Sequence, residues 1–162
     1  MEVIRANVTH AEALAPLVAE FRSTLRSYRG ECVPPDLPAA LAEIGEYLSY
    51  GWPVFAAEEC GRLIGYTVCR VDEPCLWVEQ LFVLPGFRRR GAAGLLFDKA
   101  EELANNMGED TVYNFIHPNN SGVIAFLRSR GYTVLNLVEV RKPYKGERLS
   151  SVIRVGENDF DY

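Results

Sequence analysis

The chain has 162 residues, 48% hydrophobic and 24% charged, a length and balance that predict one α/β domain over residues 1–156 followed by a short acidic tail at 157–162. A formal net charge of -5 and a sequence pI near 5.1 exclude nucleic acid as the main partner, because phosphate binding wants a broad basic face. No apolar run nears the ~20 residues that cross a bilayer, no basic-then-apolar leader opens the chain, and Cys32, Cys60, Cys69 and Cys75 form no CxxC pair, so a cytoplasmic protein with reduced thiols, no membrane contact and no metal is expected.

In chain order, Val3 to Ala6 reads as a first strand. Thr9 is placed to cap a helix, with Glu12 three residues on as in a capping box, and Ala13, Leu14, Leu17, Val18, Phe21 and Leu25 keep helical spacing to about Ser27. Arg29-Gly30 and Pro34-Pro35 break the pattern. Asp36 then caps a second helix with apolar positions Leu41, Ile44 and Leu48, ending near Gly51.

Three antiparallel strands are expected next. They are Pro53 to Glu58, Leu63 to Val71 and Leu76 to Leu84, joined by turns at Cys60-Gly61-Arg62 and Asp72-Glu73-Pro74. From Gly91 to about Met107, Ala92, Leu95, Leu96, Ala100, Leu103 and Ala104 repeat at helical spacing, with Asp98, Glu101 and Glu102 off the stripe. A strand at Thr111 to Ile116 and a helix from Ser121 to Arg130 follow; Asn119 or Asn120 caps that helix and Gly131 stops it. Tyr132 to Val140 and Leu149 to Val155 read as final strands around a polar KPYKGE turn, and the tail GENDFDY reads as loose.

The densest positive charge is FRRRGAAG, residues 87 to 94, at the junction of a hydrophobic strand and the best-defined helix. A helix start offers amides without intrahelical partners and the positive end of the macrodipole. Gly91, Ala92 and Ala93 leave room for a bulky anion, and Arg88, Arg89 and Arg90 add charge-assisted donors, which together suggest a phosphate cradle. The competing reading is a solvated basic turn whose small residues serve packing. A P-loop is excluded because Gly-Lys-Ser/Thr is absent, and a Rossmann loop because GxGxxG is absent.

Arg88-Arg89-Arg90-Gly91-Ala92-Ala93 resembles the Arg/Gln-x-x-Gly-x-Gly/Ala signature of the GNAT N-acetyltransferases, which bind acetyl-CoA. The preceding WVEQLFVLPGF is similar to that family's fourth strand and its exit. Asn120 to Tyr132 (NSGVIAFLRSRGY) is similar to its second motif, and the order of elements matches over nearly the whole chain. The resemblance implies a mixed, mostly antiparallel twisted sheet with helices on both faces, opened between its fourth and fifth strands. It implies that amides of Arg88 through Gly94 hold a pyrophosphate, that backbone groups of Leu81, Phe82 and Val83 pair with a pantetheine arm, and that Asn120 touches the cofactor.

The activity implied is direct acetyl transfer to a primary amine of a small molecule, polyamine- or aminoglycoside-like, or of a peptide. A lysine-like amine, with pKa near ~10.4, must lose a proton before attack. Glu79, an acid within a hydrophobic strand, is the candidate base; the alternative is an outward carboxylate sharing a face with Leu81 and Val83. Leu127 stands where the family often carries a tyrosine that protonates the leaving thiolate, so no residue receives that role. His117 reads as a surface or hydrogen-bonded loop histidine, Trp52 and Trp77 as packing residues, and Asp36, Glu43 and Glu46 as a solvated helix face in a region where the family builds acceptor pockets. A non-catalytic acyl-CoA-binding module and an interaction protein without cofactor stay open as alternatives, and the final strand and tail are candidates for a homodimer contact.

Overall fold

The chain begins as strand β1 (Glu2–Arg5) and passes through one 3-10 turn at Val8–His10 into helix α1 (Ala11–Ser27). Asn7 caps this start instead of Thr9. Its Oδ1 accepts from the Thr9 amide at 3.0 Å and the Thr9 hydroxyl at 2.7 Å, while its own amide donates to His10 Nδ1 at 3.2 Å. Thr9 has its hydroxyl committed as a donor, so the box expected at Thr9 and Glu12 closes two residues earlier. Helix α2 (Leu37–Ser49) opens on Asp36, whose Oδ1 accepts from Ala39 at 3.0 Å.

The computed structural model describes residues 1–162 as two units, Met1–Phe126 and Leu127–Tyr162. In the first, β2 (Val54–Glu59), β3 (Arg62–Asp72) and β4 (Cys75–Val83) form an antiparallel meander, with β1 on the outer edge of β2. Cys60 and Gly61 between β2 and β3 have φ of 52° and 73°, the left-handed pair that suits a two-residue hairpin. Helix α3 (Ala92–Asn106) then returns the chain to β5 (Tyr113–Asn114), which lies parallel to β4 and completes the order β1-β2-β3-β4-β5.

Alternation along the strands builds the two cores. Ala56, Tyr66, Val68 and Phe82 face α1 and α2, where Leu14, Leu17, Val18, Ile44 and Leu48 cover them. Phe55, Ala57, Ile64 and Val83 face the other way, beneath Ala92 and Leu96 of α3. Burying each larger side chain contributes about 1.5–3 kcal/mol. Helices on both faces of a mostly antiparallel sheet are thus the observed architecture. Gly65 of β3 is where the sheet is tightest: a Cβ there would lie 2.7 Å from the Phe82 carbonyl oxygen, so glycine lets β3 close on the end of β4.

Helix α4 (Ser121–Ser129) ends at Gly131, with φ of 89°. In the second unit, residues 133 to 149 form no helix or strand, and β6 (Val152–Val155) pairs antiparallel with β7 (Asn158–Asp161). The strand expected at Tyr132 to Val140 is therefore not present, since strand-forming composition needs a ladder partner as well. The tail expected to be loose is β7. Ser151 and Tyr162 exchange backbone hydrogen bonds at 3.0 and 2.8 Å, and Arg154 pairs with Asp159 at 2.7 Å. No helix of the chain is long and apolar enough to cross a membrane.

Candidate active site

Strands β4 and β5 meet at two rungs only, Trp77↔Tyr113 and Val78↔Asn114. Beyond them β4 runs on to Val83 with no strand on that side. Which backbone groups face this open edge follows from the β3 ladder. Leu84 donates to the Ile64 carbonyl at 2.9 Å, and antiparallel rungs alternate, so Phe82, opposite Tyr66, and Gln80, opposite Val68, spend their groups on β3. The Gln80 carbonyl also accepts from the Thr67 hydroxyl at 2.9 Å on that side. Leu81 and Val83 point the other way. Of the three residues expected to present backbone to the edge, Phe82 does not, and the Val83 carbonyl already accepts from Arg88 Nε at 2.9 Å. The amide and carbonyl of Leu81 and the amide of Val83 remain.

Glu79 lies just past the last β4–β5 rung and on a β-bulge. Val68 pairs with Gln80 and Cys69 with Val78, which leaves Glu79 without a partner in β3. A bulge loosens the ladder at this point, and Glu79 is partly exposed, as is Leu81. Its Oε1 accepts from Arg70 Nε at 2.6 Å, and its charge reaches Tyr47 of α2.

Next to it is a polar cluster that sequence reasoning missed. Glu43 of α2 accepts from Arg22 of α1 through Nε at 2.9 Å and Nη2 at 2.5 Å, from Gln80 Nε2 at 2.5 Å and from the Tyr47 hydroxyl at 3.1 Å. Gln80 Oε1 in turn accepts from the Tyr66 hydroxyl at 2.6 Å. Burial pushes the Glu43 carboxyl up, but the hydrogen bonds and charge of Arg22, aided by Gln80 and Tyr47, outweigh it and hold the group below its usual range. Burial, with the charge of Glu43, raises Tyr47 and raises Tyr66 well above the ordinary phenol value. The signal in the sequence was Gln80, a polar residue alternating with Val78 and Phe82 on a buried face. Asp36 serves as a helix cap and Glu46 is exposed, so of the three acids only Glu43 is drawn inward.

The basic turn divides its labour. Arg88 is tied to Val83 and lies over the Phe82 ring at 5.6 Å, and Arg90 pairs with Glu59 of β2 at 2.9 Å and lies 5.4 Å from Phe87. Arg89 has φ of 62° and no hydrogen-bond or ion-pair partner. Gly91, the N-cap of α3, has φ of 90° and offers no side chain to the first-turn amides of Ala92, Ala93 and Gly94, which no other side chain caps. A Cβ on Gly91 would meet nothing within 4 Å, so glycine is required here by its dihedral. Ala92 is buried in the α3 core and contributes its amide alone.

Asn120 caps α4, its Oδ1 accepting from Val123 at 3.2 Å, which leaves Nδ2 as its donor. Asn119 Nδ2 donates to the Tyr28 carbonyl at 3.0 Å, and the Tyr28 ring stacks on His117 at 5.5 Å, fastening the end of α1 to the loop before α4. Burial, with the charge of Arg29, lowers the His117 pKa. Leu127 is 3% exposed. Trp52 stacks on Tyr47 at 4.7 Å and Trp77 on Phe115 at 4.6 Å, both as packing partners. Two shallow grooves of about 300 Å³ lie between β1 and α3, lined in part by Val3, Lys99 and Glu102. Neither reaches the open edge of β4.

Residues 18–132 match the model of the acetyltransferase (GNAT) family. An uncharacterized N-acetyltransferase of Methanocaldococcus jannaschii is 28% identical over 96 residues, 52% of this chain, and the matched part spans 41% of that relative's own length. Aminoglycoside acetyltransferase AAC(6')-Iy, solved with the bisubstrate analogue CoA-S-monomethyl-acetylneamine, superposes with a TM-score of 0.66 at 25% identity, covering 88% of this chain and 98% of its own. A ribosomal-protein-alanine N-acetyltransferase from Brucella melitensis shares the fold, with a TM-score of 0.68 at 14% identity over 89% of this chain and 100% of its own.

Proposed function

This chain belongs to the GNAT family of acetyltransferases, and we propose that it transfers the acetyl group of acetyl-CoA directly to a primary amine. The observation that carries this reading is a conjunction: the open edge of β4 ends one short turn before a helix start with uncapped amides and a free arginine. An extended amide-bearing arm suits the first feature and a pyrophosphate the second. Acetyl-CoA bound there supplies a thioester whose carbonyl carbon takes the new bond from nitrogen as its bond to sulfur breaks.

The residues of this chain then have separate tasks. Leu81 offers its amide and carbonyl to the arm and, with the Val83 amide, a donor to oxygen that gains charge. Amides of Ala92, Ala93 and Gly94, with the Arg89 guanidinium, hold the pyrophosphate, and Asn120 Nδ2 is a further donor. Glu79 accepts the proton the amine must lose, and the thiolate takes its proton from water, since Leu127 cannot provide one. Cys32 and Cys60 are exposed free thiols, in keeping with a cytoplasmic setting. The likeness to AAC(6')-Iy supports a small polyamine- or aminoglycoside-like acceptor; a peptide amine is the second class.

A non-catalytic acyl-CoA-binding module is favoured by one observation, the buried Leu127 at the position where the family often carries a tyrosine. The test is an acetyl-CoA titration followed by thiol release on a panel of neamine, spermidine and an alanine-terminated peptide. Turnover with any of them supports transfer; binding with no thiol release across the pH range supports the module.

A further inference from the structure

Arg70 of β3 stands opposite Trp77, beside the bulge and the last β4–β5 rung. Three contacts fix its guanidinium. Nε donates to Glu79 Oε1 at 2.6 Å, Nη1 pairs with Asp72 Oδ2 at 3.0 Å, and the group lies 5.7 Å from the Trp77 ring. Trp77 is itself packed between Tyr113 at 4.9 Å and Phe115 at 4.6 Å, so the stack joins β3, β4 and the β5 end of the chain where the sheet forks. Glu79 has the opposite character. It sits on a bulge without a ladder partner, and Arg70 is its one hydrogen-bond partner. A carboxylate on a flexible stem at such a place samples several rotamers unless something holds it.

We propose that Arg70 is a positioning residue for Glu79: by holding Oε1 it fixes the carboxylate and leaves Oε2 as the oxygen that receives the amine proton. The inference rests on Glu79 being the base. Arg70 also governs the charge around it. Glu79 is paired with Arg70, which also binds Asp72, and its charge reaches Tyr47 of α2. Removing Arg70 takes away the cation bonded to Glu79 and the contact that holds its carboxylate.

The test compares kcat and KM for Arg70→Gln, Arg70→Lys, Glu79→Gln and the Arg70→Gln/Glu79→Gln double variant, using whichever of neamine, spermidine or an alanine-terminated peptide turns over fastest. Arg70→Gln is expected to lower kcat by about ten-fold, the scale of a lost general-base alignment. Its KM for acetyl-CoA stays near the parent value. Arg70→Lys keeps the charge but not the planar fork, so kcat falls with KM unchanged. The double variant is expected to be no slower than Glu79→Gln.

A purely structural role for Arg70 would be felt equally with and without the Glu79 carboxylate. If Arg70→Gln slows the Glu79→Gln enzyme by the same factor as it slows the parent, the positioning role is overturned and the base stands. If Glu79→Gln leaves the rate unchanged, the base assignment fails and the inference with it. Should Arg70→Gln unfold, Arg70→Lys decides: kcat equal to the parent's would overturn the role.

Discussion

Arg88 Nε donates to the carbonyl of Val83 at 2.9 Å, so the first arginine of the basic turn bonds back to the strand it has just left. This bond closes the last carbonyl of β4 and sets where the open edge begins. Arg88 also lies over Phe82, whose ring belongs to the core against α1 and α2. Replacing Arg88 by alanine removes a hydrogen bond from a charged donor and an aromatic contact, and is expected to destabilise the fold by about 1–2 kcal/mol. Urea unfolding measures this, and Arg90→Ala, which breaks an exposed pair with Glu59, should cost under about 1 kcal/mol in the same assay.

Arg89 holds φ of 62° without a bond to justify it. A non-glycine residue in that region costs about 1–2 kcal/mol, partly offset in glycine by chain entropy. Arg89→Gly is therefore expected to raise stability by about 0.5 kcal/mol while weakening acetyl-CoA binding several-fold. Thermal unfolding and calorimetry on the same sample would show the two effects with opposite sign.

Glu43 links acid stability to the polar cluster. Its folded pKa is depressed below the ordinary 4.5, so its contribution is present above pH 4.5 and is lost as pH falls through the folded value. Glu43→Gln removes that dependence. The variant is expected to be less stable than the parent by about 2 kcal/mol at pH 7, the scale of hydrogen bonds to a charged group, with the gap narrowing below pH 4.5. Urea midpoints across that range test it; a gap constant with pH would contradict the assignment.

Thiol reactivity divides by burial. Burial pushes the Cys69 thiol up to about 12, whereas Cys32 and Cys60 are exposed. A disulfide reagent at neutral pH should modify Cys32 and Cys60 in the folded protein and Cys69 only after unfolding, as peptide mapping would report.

Much of this architecture is legible in the residues because strong periodicity is a local property. The meander from Val54 to Val83, the Asp36 cap and the α3 stripe lie where spacing puts them. The bulge at Glu79 is not legible. Val78, Glu79 and Gln80 read as simple alternation, and only the pairing of Cys69 with Val78 and Val68 with Gln80 reveals the extra residue. Glu43, Asp36 and Glu46 look alike in sequence as well; what separates them is the side of α2 that meets Arg22 and Gln80. The segment after Gly131 has strand composition, but pairing is a long-range property that composition does not specify.

The central claim is that backbone amides at the start of α3, kept open by Gly91, do most of the holding of acetyl-CoA and that Arg89 assists. Calorimetric titration of acetyl-CoA into the parent, Arg89→Ala and Gly91→Val measures it directly. Arg89→Ala should weaken binding by about three- to ten-fold, the scale of one exposed charge-assisted contact. Gly91→Val should lose binding by about a hundred-fold or more while staying folded, because valine is disfavoured at φ of 90° and distorts the helix start. Equal and small losses at the two positions, or no binding by the parent, would contradict the account.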